Sequence, residues 1–413
     1  MPTTRPESLE TEATRALLRL RRAFGALIDA SPGAGTRPHE IQKRLGIDKK
    51  LAWRIGKVIH EPDVLSAAQY VPGAAAAAIF LAAAARKGIS PDLLGAARAA
   101  IDGFDQVVDA HAGERAALDM MLAAASPKSR ADAAYAHQKT AFSANSFIWG
   151  VQARLQMSVI FVFPAEDPAR AHIAAVRGFV DLRRIRPNVP WVIGRVRCVD
   201  DDGQMRAGMQ LEPIDPQPAR ADGLPPVPLL REFCVPPSPE MRRVRGPELY
   251  IEDELVEAPV GNRGAVTCLT GELARSVVAR DADEHNRYGS VNVRVRTPVE
   301  TVLLDTFIHK DVLTVGKPEL VVRSDLASSG FGVMRWDRDR LDPGGDVHHL
   351  GRDPAAAYTP LMGRYADMVS YVFGKLGQEQ TEFDLYRVCL PYPVMPSSAA
   401  LQWELPKMRS TGG

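Results

Sequence analysis

A chain of 413 residues is too long for one ordinary core and suggests two or three domains. At 46% hydrophobic and 24% charged it has the composition of a soluble globular protein, and a formal charge of +1 excludes a chain that is basic throughout. The charge is unevenly spread: residues 1–61 hold 12 Lys+Arg and 7 Asp+Glu, a net of +5, against 39 and 43, a net of −4, in the remainder. Any contact with a polyanion is therefore expected near the N-terminus.

The opening stretch MPTTRPESLE lacks the apolar core of a signal peptide, so a cytoplasmic protein is expected. Residues from about Pro6 to Ala30 read as a helix, because Leu17, Leu20, Phe24, Leu27 and Ile28 recur at three- and four-residue spacing. Ser31-Pro32-Gly33-Ala34-Gly35 breaks it. Two short helices are expected between Thr36 and His60, with Thr36 and Pro38 as a start, Gly46 at the turn and Pro62 as the stop. Asp48 stands where its carboxylate can cap the second helix.

At 100° per residue, Leu51, Ile55, Val58 and Ile59 of the second helix share an arc of about 100° that must face a core. Ile41, Leu45 and Ile47 complete that small core. The opposite arc takes Lys49, Trp53, Gly56, Lys57 and His60, with Lys50 beside it and Arg54 at the boundary. A helix apolar on one side and cationic on the other suits a polyanion, and DNA is the commonest such partner.

Further along, Pro72 to about Ala125 keeps a helical pattern, with Ser90-Pro91 as a capped start and Leu93, Leu94, Ala97, Ile101 and Phe104 on one face. The longest apolar run, Gly73 to Ala85, is mostly alanine and only about 13 residues long, too short to span a bilayer. Helices are also expected over roughly Glu114–Ala124 and Arg130–Asn145. From Ser146 the texture turns β-rich: Ser158–Phe163, Trp191–Cys198, Ser290–Arg296, Glu319–Arg323 and Phe383–Leu390 read as strands. The prolines between Pro213 and Pro247 read as a connector. One more helix is expected within Tyr358–Leu376.

The stretch HEIQKRLGIDKKLAWRIGKVI, with Leu-Gly-Ile at the turn and a basic second helix, resembles the helix-turn-helix domains of bacterial transcription regulators. The resemblance covers about residues 17–60 and no more. It implies that the second helix enters the major groove of double-stranded DNA. Lys49, Lys50 and Trp53 would then lie nearest the bases, Lys57, Lys43, Arg44 and Arg37 would meet phosphates, and Arg54 would flank them.

Signs of an enzyme are weaker. Asp346, His348 and His349, with His309 or Asp311, have metal-ligand chemistry, but adjacent histidines on a strand point to opposite faces. Asp305 and His309 lie four apart and read as satisfied polar residues at an edge, with no nucleophile elbow nearby. The glycines of Ser328–Val333 lack the Walker lysine. Cys198, Cys234, Cys268 and Cys389 have no zinc-site spacing and read as reduced thiols. Arg195, Arg197, Arg294 and Arg296 would form a solvated or anion-binding sheet face.

The expected fold is therefore α+β: a helix-turn-helix region over 1–61, a helical bundle over 62–145 that serves dimerisation, and a β-rich domain over 146–413. The expected function is transcriptional regulation through double-stranded DNA, as a homodimer, with no catalytic residue, metal, cofactor or membrane contact assigned. The alternative is an enzyme or an interaction scaffold centred on the β-rich region.

Overall fold

The computed structural model describes residues 7–33, 35–125, 127–197, 211–218, 226–236, 239–245, 250–256, 259–284, 287–312, 315–325 and 339–407. The class is α+β, and the chain divides into two compact units, Met1–Ala134 and Tyr135–Gly413.

In the first unit, α1 (Leu9–Ala30) starts where the Ser8 side chain accepts a hydrogen bond from Thr11 N. It is followed by α2 (Pro38–Leu45), α3 (Lys49–His60), a 3-10 turn (Leu65–Tyr70), α4 (Ala74–Arg86), α5 (Pro91–His111) and α6 (Arg115–Ala125). Ser90 caps α5 through Leu93 N. The helix α7 (Pro127–Trp149) continues past Asn145 and leads into the β-rich region. Among the described residues, no strand occurs before Val151.

The helix pair shares its core with helices on both sides of residue 61. Leu17, Leu20, Phe24 and Ile28 of α1 share one core with Ile41, Ile55 and Val58, and with Phe80, Ile101 and Phe104 from the later helices. Phe24 meets Phe80 edge-on at 5.1 Å. Two helices of eight and twelve residues bury too little apolar surface to stand alone. Each large side chain driven into the shared core contributes about 1.5–3 kcal/mol. The alanine-rich α4 takes part in that core through Ala77, Phe80, Ala83 and Ala84.

The second unit contains β1 (Val151–Pro164), β2 (Arg170–Arg184), β3 (Trp191–Arg197), β4 (Leu211–Pro213), β5 (Met241–Arg245), β6 (Tyr250–Leu255), β7 (Val266–Ala279), β8 (Tyr288–Val295), β9 (Val299–His309), β10 (Val315–Ser324), β11 (Arg340–Leu341), β12 (Val347–Gly351), α8 (Tyr365–Leu376), β13 (Phe383–Pro391) and β14 (Ser397–Glu404). They make a seven-stranded sheet in the order β12-β13-β9-β1-β2-β7-β4, a four-stranded sheet β11-β10-β14-β8 and a three-stranded sheet β3-β6-β5. Strand β1 runs antiparallel to β2 and parallel to β9.

The apolar run Ser158–Phe163 lies in the middle of the large sheet, covered on both faces. One face meets α8: Phe161 stacks on Phe307 at 5.1 Å, and Phe373 stands edge-on to both at 5.0 and 5.2 Å. On the other face Ile160, Val162 and Leu304 share a core with Val291, Val293 and Leu401 of the four-stranded sheet. The strand reaches back to Val151, because Ala153, Leu155 and Met157 alternate inward with Gln152, Arg154 and Gln156. The late helix begins only at Tyr365, with a 3-10 turn at Pro354–Ala356 ahead of it. The proline-rich stretch is more than a connector, since Leu229, Leu230 and Phe233 are buried. No helix among the described residues is long and apolar enough to cross a membrane.

Candidate nucleic-acid interface

Helices α2 and α3 are held at their joint by backbone chemistry. Gly46 sits at φ 66°, in the left-handed region that a helix-to-helix turn requires, and its N–H donates to Gln42 O at 2.8 Å. The Asp48 carboxylate then accepts from Lys50 N at 2.8 Å and Leu51 N at 2.9 Å, capping α3. At the head of α2, Arg37 N donates to Glu40 Oε2 at 2.8 Å.

On α3, Leu51, Ala52, Ile55 and Val58 face the core, while Lys49, Lys50 and His60 are exposed. Gly56, expected on the outer arc, is buried instead: a Cβ there would lie 3.4 Å from Pro38 Cγ, in ordinary contact with α2.

The eight expected contact residues divide into two groups. Lys43, Lys49 and Lys50 are exposed and, among the described residues, hold no ion pair or side-chain hydrogen bond; Arg37 is exposed as well. Trp53 is 43% exposed, with its inner edge against Tyr70 at 5.3 Å. The other three are engaged inside the fold. Arg44 donates to Ile28 O and Ser31 O at 2.5 Å and to Gly35 O at 2.6 Å, so it closes the C-terminal end of α1. Arg54 donates to Tyr70 O at 3.2 Å and Val71 O at 2.8 Å. Lys57 pairs with Glu61 at 3.0 Å, which holds its ammonium above the ordinary range, and lies 5.4 Å from the centre of the Tyr70 ring. Tyr70 thus gathers Trp53, Arg54 and Lys57, and its role was not apparent from local sequence. Arg21 was also missed: it donates to Val58 O and Glu61 O and seals the end of α3.

The other chemical candidates are accounted for in the second unit. Asp305 is not at an edge. It is fully buried in the central strand β9, held by Arg387 at 2.8 and 2.6 Å and by the Tyr365 hydroxyl. Burial and the neighbouring carboxylate push that hydroxyl well above its ordinary range, so it stays protonated. His309 Nδ1 accepts from Asp311 N at 3.1 Å, and its ring stands edge-on to Phe383 at 5.0 Å. His349 stacks on Tyr386 and pairs with Asp384 at 3.0 Å, while His348 is exposed. Among the described residues no three His, Cys, Asp or Glu side chains converge as metal ligands. Cys234 and Cys268 are free, buried thiols brought together by the Val235–Thr267 bridge. Cys198, the Arg197 side chain and residues 328–333 lie outside what the structure describes. Comparisons with family models, with curated proteins and with solved structures give no match to this chain.

Proposed function

We propose that the chain is a DNA-binding protein that regulates transcription, with α3 as the element presented to the major groove. The observation that carries this reading is the outer face of α3. Lys49, Lys50 and Trp53 stand toward solvent on a helix capped by Asp48 and turned in by Gly46. Cations at the N-terminal end of such a helix suit base edges and phosphates together. Lys43 and Arg37 add phosphate contacts from α2. The engaged Arg44 and Arg54 set the helices rather than meet the duplex.

The partner is double-stranded DNA, bound by a homodimer in a bacterial cytoplasm, and the second unit senses a ligand or mediates assembly. The exposed Ile79, Met120 and Met121 support a pairing surface on α4 and α6. The experiment is binding of purified protein to genomic fragments across a salt series, with Lys49→Glu/Lys50→Glu alongside. Salt-sensitive retention that the double variant weakens is expected. Equal retention by a folded double variant refutes the reading.

A further inference from the structure

A separate cavity of about 480 Å³ lies within the second unit. Its aromatic wall is built where α7 gives way to the sheets. Gly150 turns the chain at φ 74°, and Arg186 fixes the helix end by donating to Ile148 O at 3.0 Å, which sets Trp149 at the rim, 49% exposed. Trp191, the first residue of β3, donates its indole N–H to Thr297 Oγ1 at 2.9 Å and is thereby held in one orientation. The two indoles stand 6.1 Å apart at 70°, and Phe179 of β2 lies buried among the lining residues.

The cationic wall comes from alternation. Val291, Val293 and Val295 of β8 point into the core, so Arg294 is turned the other way, and Arg296 follows just beyond the strand. Arg195 reaches the same cavity from β3. Arg195 pairs with Glu252 at 2.6 Å and Arg296 with Asp325 at 2.8 Å, which holds the planar forks in place. Gln156 of β1 donates to Arg294 O at 2.8 Å and ties that strand to the cavity.

We infer that this cavity binds a small planar aromatic anion, its ring against Trp149 and Trp191 and its carboxylate or sulfonate at the guanidinium groups of Arg195, Arg294 and Arg296. The volume suits one small molecule, and concave sites of this size bind through apolar walls with a few placed polar groups. Guanidinium forks match carboxylate geometry, and an incoming anion exchanges with or extends the existing ion pairs. Indole faces favour a flat ring over an aliphatic chain of equal size. The inference goes beyond the DNA-binding reading and does not depend on it, since it concerns binding to the second unit alone.

The test is calorimetric titration of the full chain with two matched pairs, para-hydroxybenzoate against para-hydroxybenzamide and naphthoate against naphthamide. Saturable binding of one equivalent is expected for the acid of at least one pair, with the neutral amide weaker by about tenfold or more, a difference of about 1.4 kcal/mol. Trp191→Phe and Arg294→Gln should each weaken the acid by about tenfold while leaving the circular dichroism unchanged. No saturable binding of either acid up to millimolar concentration overturns the inference. So does equal affinity for acid and amide, a comparison made on the unaltered protein and therefore independent of how the variants fold. Neither result bears on α3, whose variants are read with a duplex instead.

Discussion

If α3 meets a duplex as proposed, charge changes on the helix pair should separate cations that contact it from cations that hold the fold. Arg37, Lys43, Lys49 and Lys50 are the exposed members of the set. If all four meet phosphates, the slope of log K against log salt is about −3.6 per protomer, taking roughly 0.9 for each contact. Raising salt from about 50 to about 200 mM then weakens binding by roughly 150-fold for each protomer engaged. Lys49→Glu/Lys50→Glu removes two contacts, so the slope should fall to about −1.8, with no change in melting temperature. Arg44→Ala should do the reverse. It strands the carbonyls of Ile28, Ser31 and Gly35 that the guanidinium now satisfies. Because that side chain is partly exposed, water recovers some of the loss, and the cost is about 1–2 kcal/mol of stability with the salt slope intact. The assay is fluorescence anisotropy of a labelled duplex across the salt series, beside thermal melts of each variant. An unchanged slope for the folded double lysine variant refutes the assignment of these lysines. A flattened slope for Arg44→Ala with no loss of stability refutes the division between the two groups.

Other substitutions test the scaffold. Gly46→Ala meets no atom within 4 Å but must adopt φ 66°, so a loss of about 1–2 kcal/mol is expected from backbone strain, and Gly46→Asn should lose less; urea midpoints of both variants check this. Arg387→Met leaves the buried Asp305 carboxylate with only Tyr365, and a loss of about 3–5 kcal/mol is expected in the unfolding of the second unit. Adding Asp305→Leu and Tyr365→Phe should recover most of that loss, whereas a drop below about 1 kcal/mol for the single variant would contradict the burial argument. His309 is shifted below the ordinary 6.5 chiefly by desolvation, against the pull of Asp311 and Glu382. The unfolded chain therefore takes up the proton first as pH falls. The stability this group supplies is full above 6.5 and is lost at lower pH. His309→Phe should accordingly flatten stability against pH between about pH 7 and pH 5, measured by urea melts at each pH.

Local pattern by itself determined the helices of the first unit. The stripe Leu17, Leu20, Phe24, Leu27 and Ile28 is buried along α1, Ser90 and Asp48 cap as their chemistry demands, and Gly46 takes the left-handed turn. These features lie within one or two helical turns of chain, where periodicity and capping act. The α+β class was legible for the same reason. Gly56 shows where that reading stops: its position on the wheel gave an outward face, and only the approach of Pro38 made it an inward one. Arg44 and Arg54 look like their exposed neighbours in sequence, because a guanidinium carries no sign of which carbonyls will reach it. Asp305 reads as an ordinary strand residue until Arg387, 82 positions later, arrives on the neighbouring strand. The parallel pairing of β1 with β9, and the meeting of Trp149, Trp191 and Arg294 around one cavity, join segments too distant for any local period to encode. Those partners are selected when the whole apolar surface is buried at once, and so tertiary packing alone decided them.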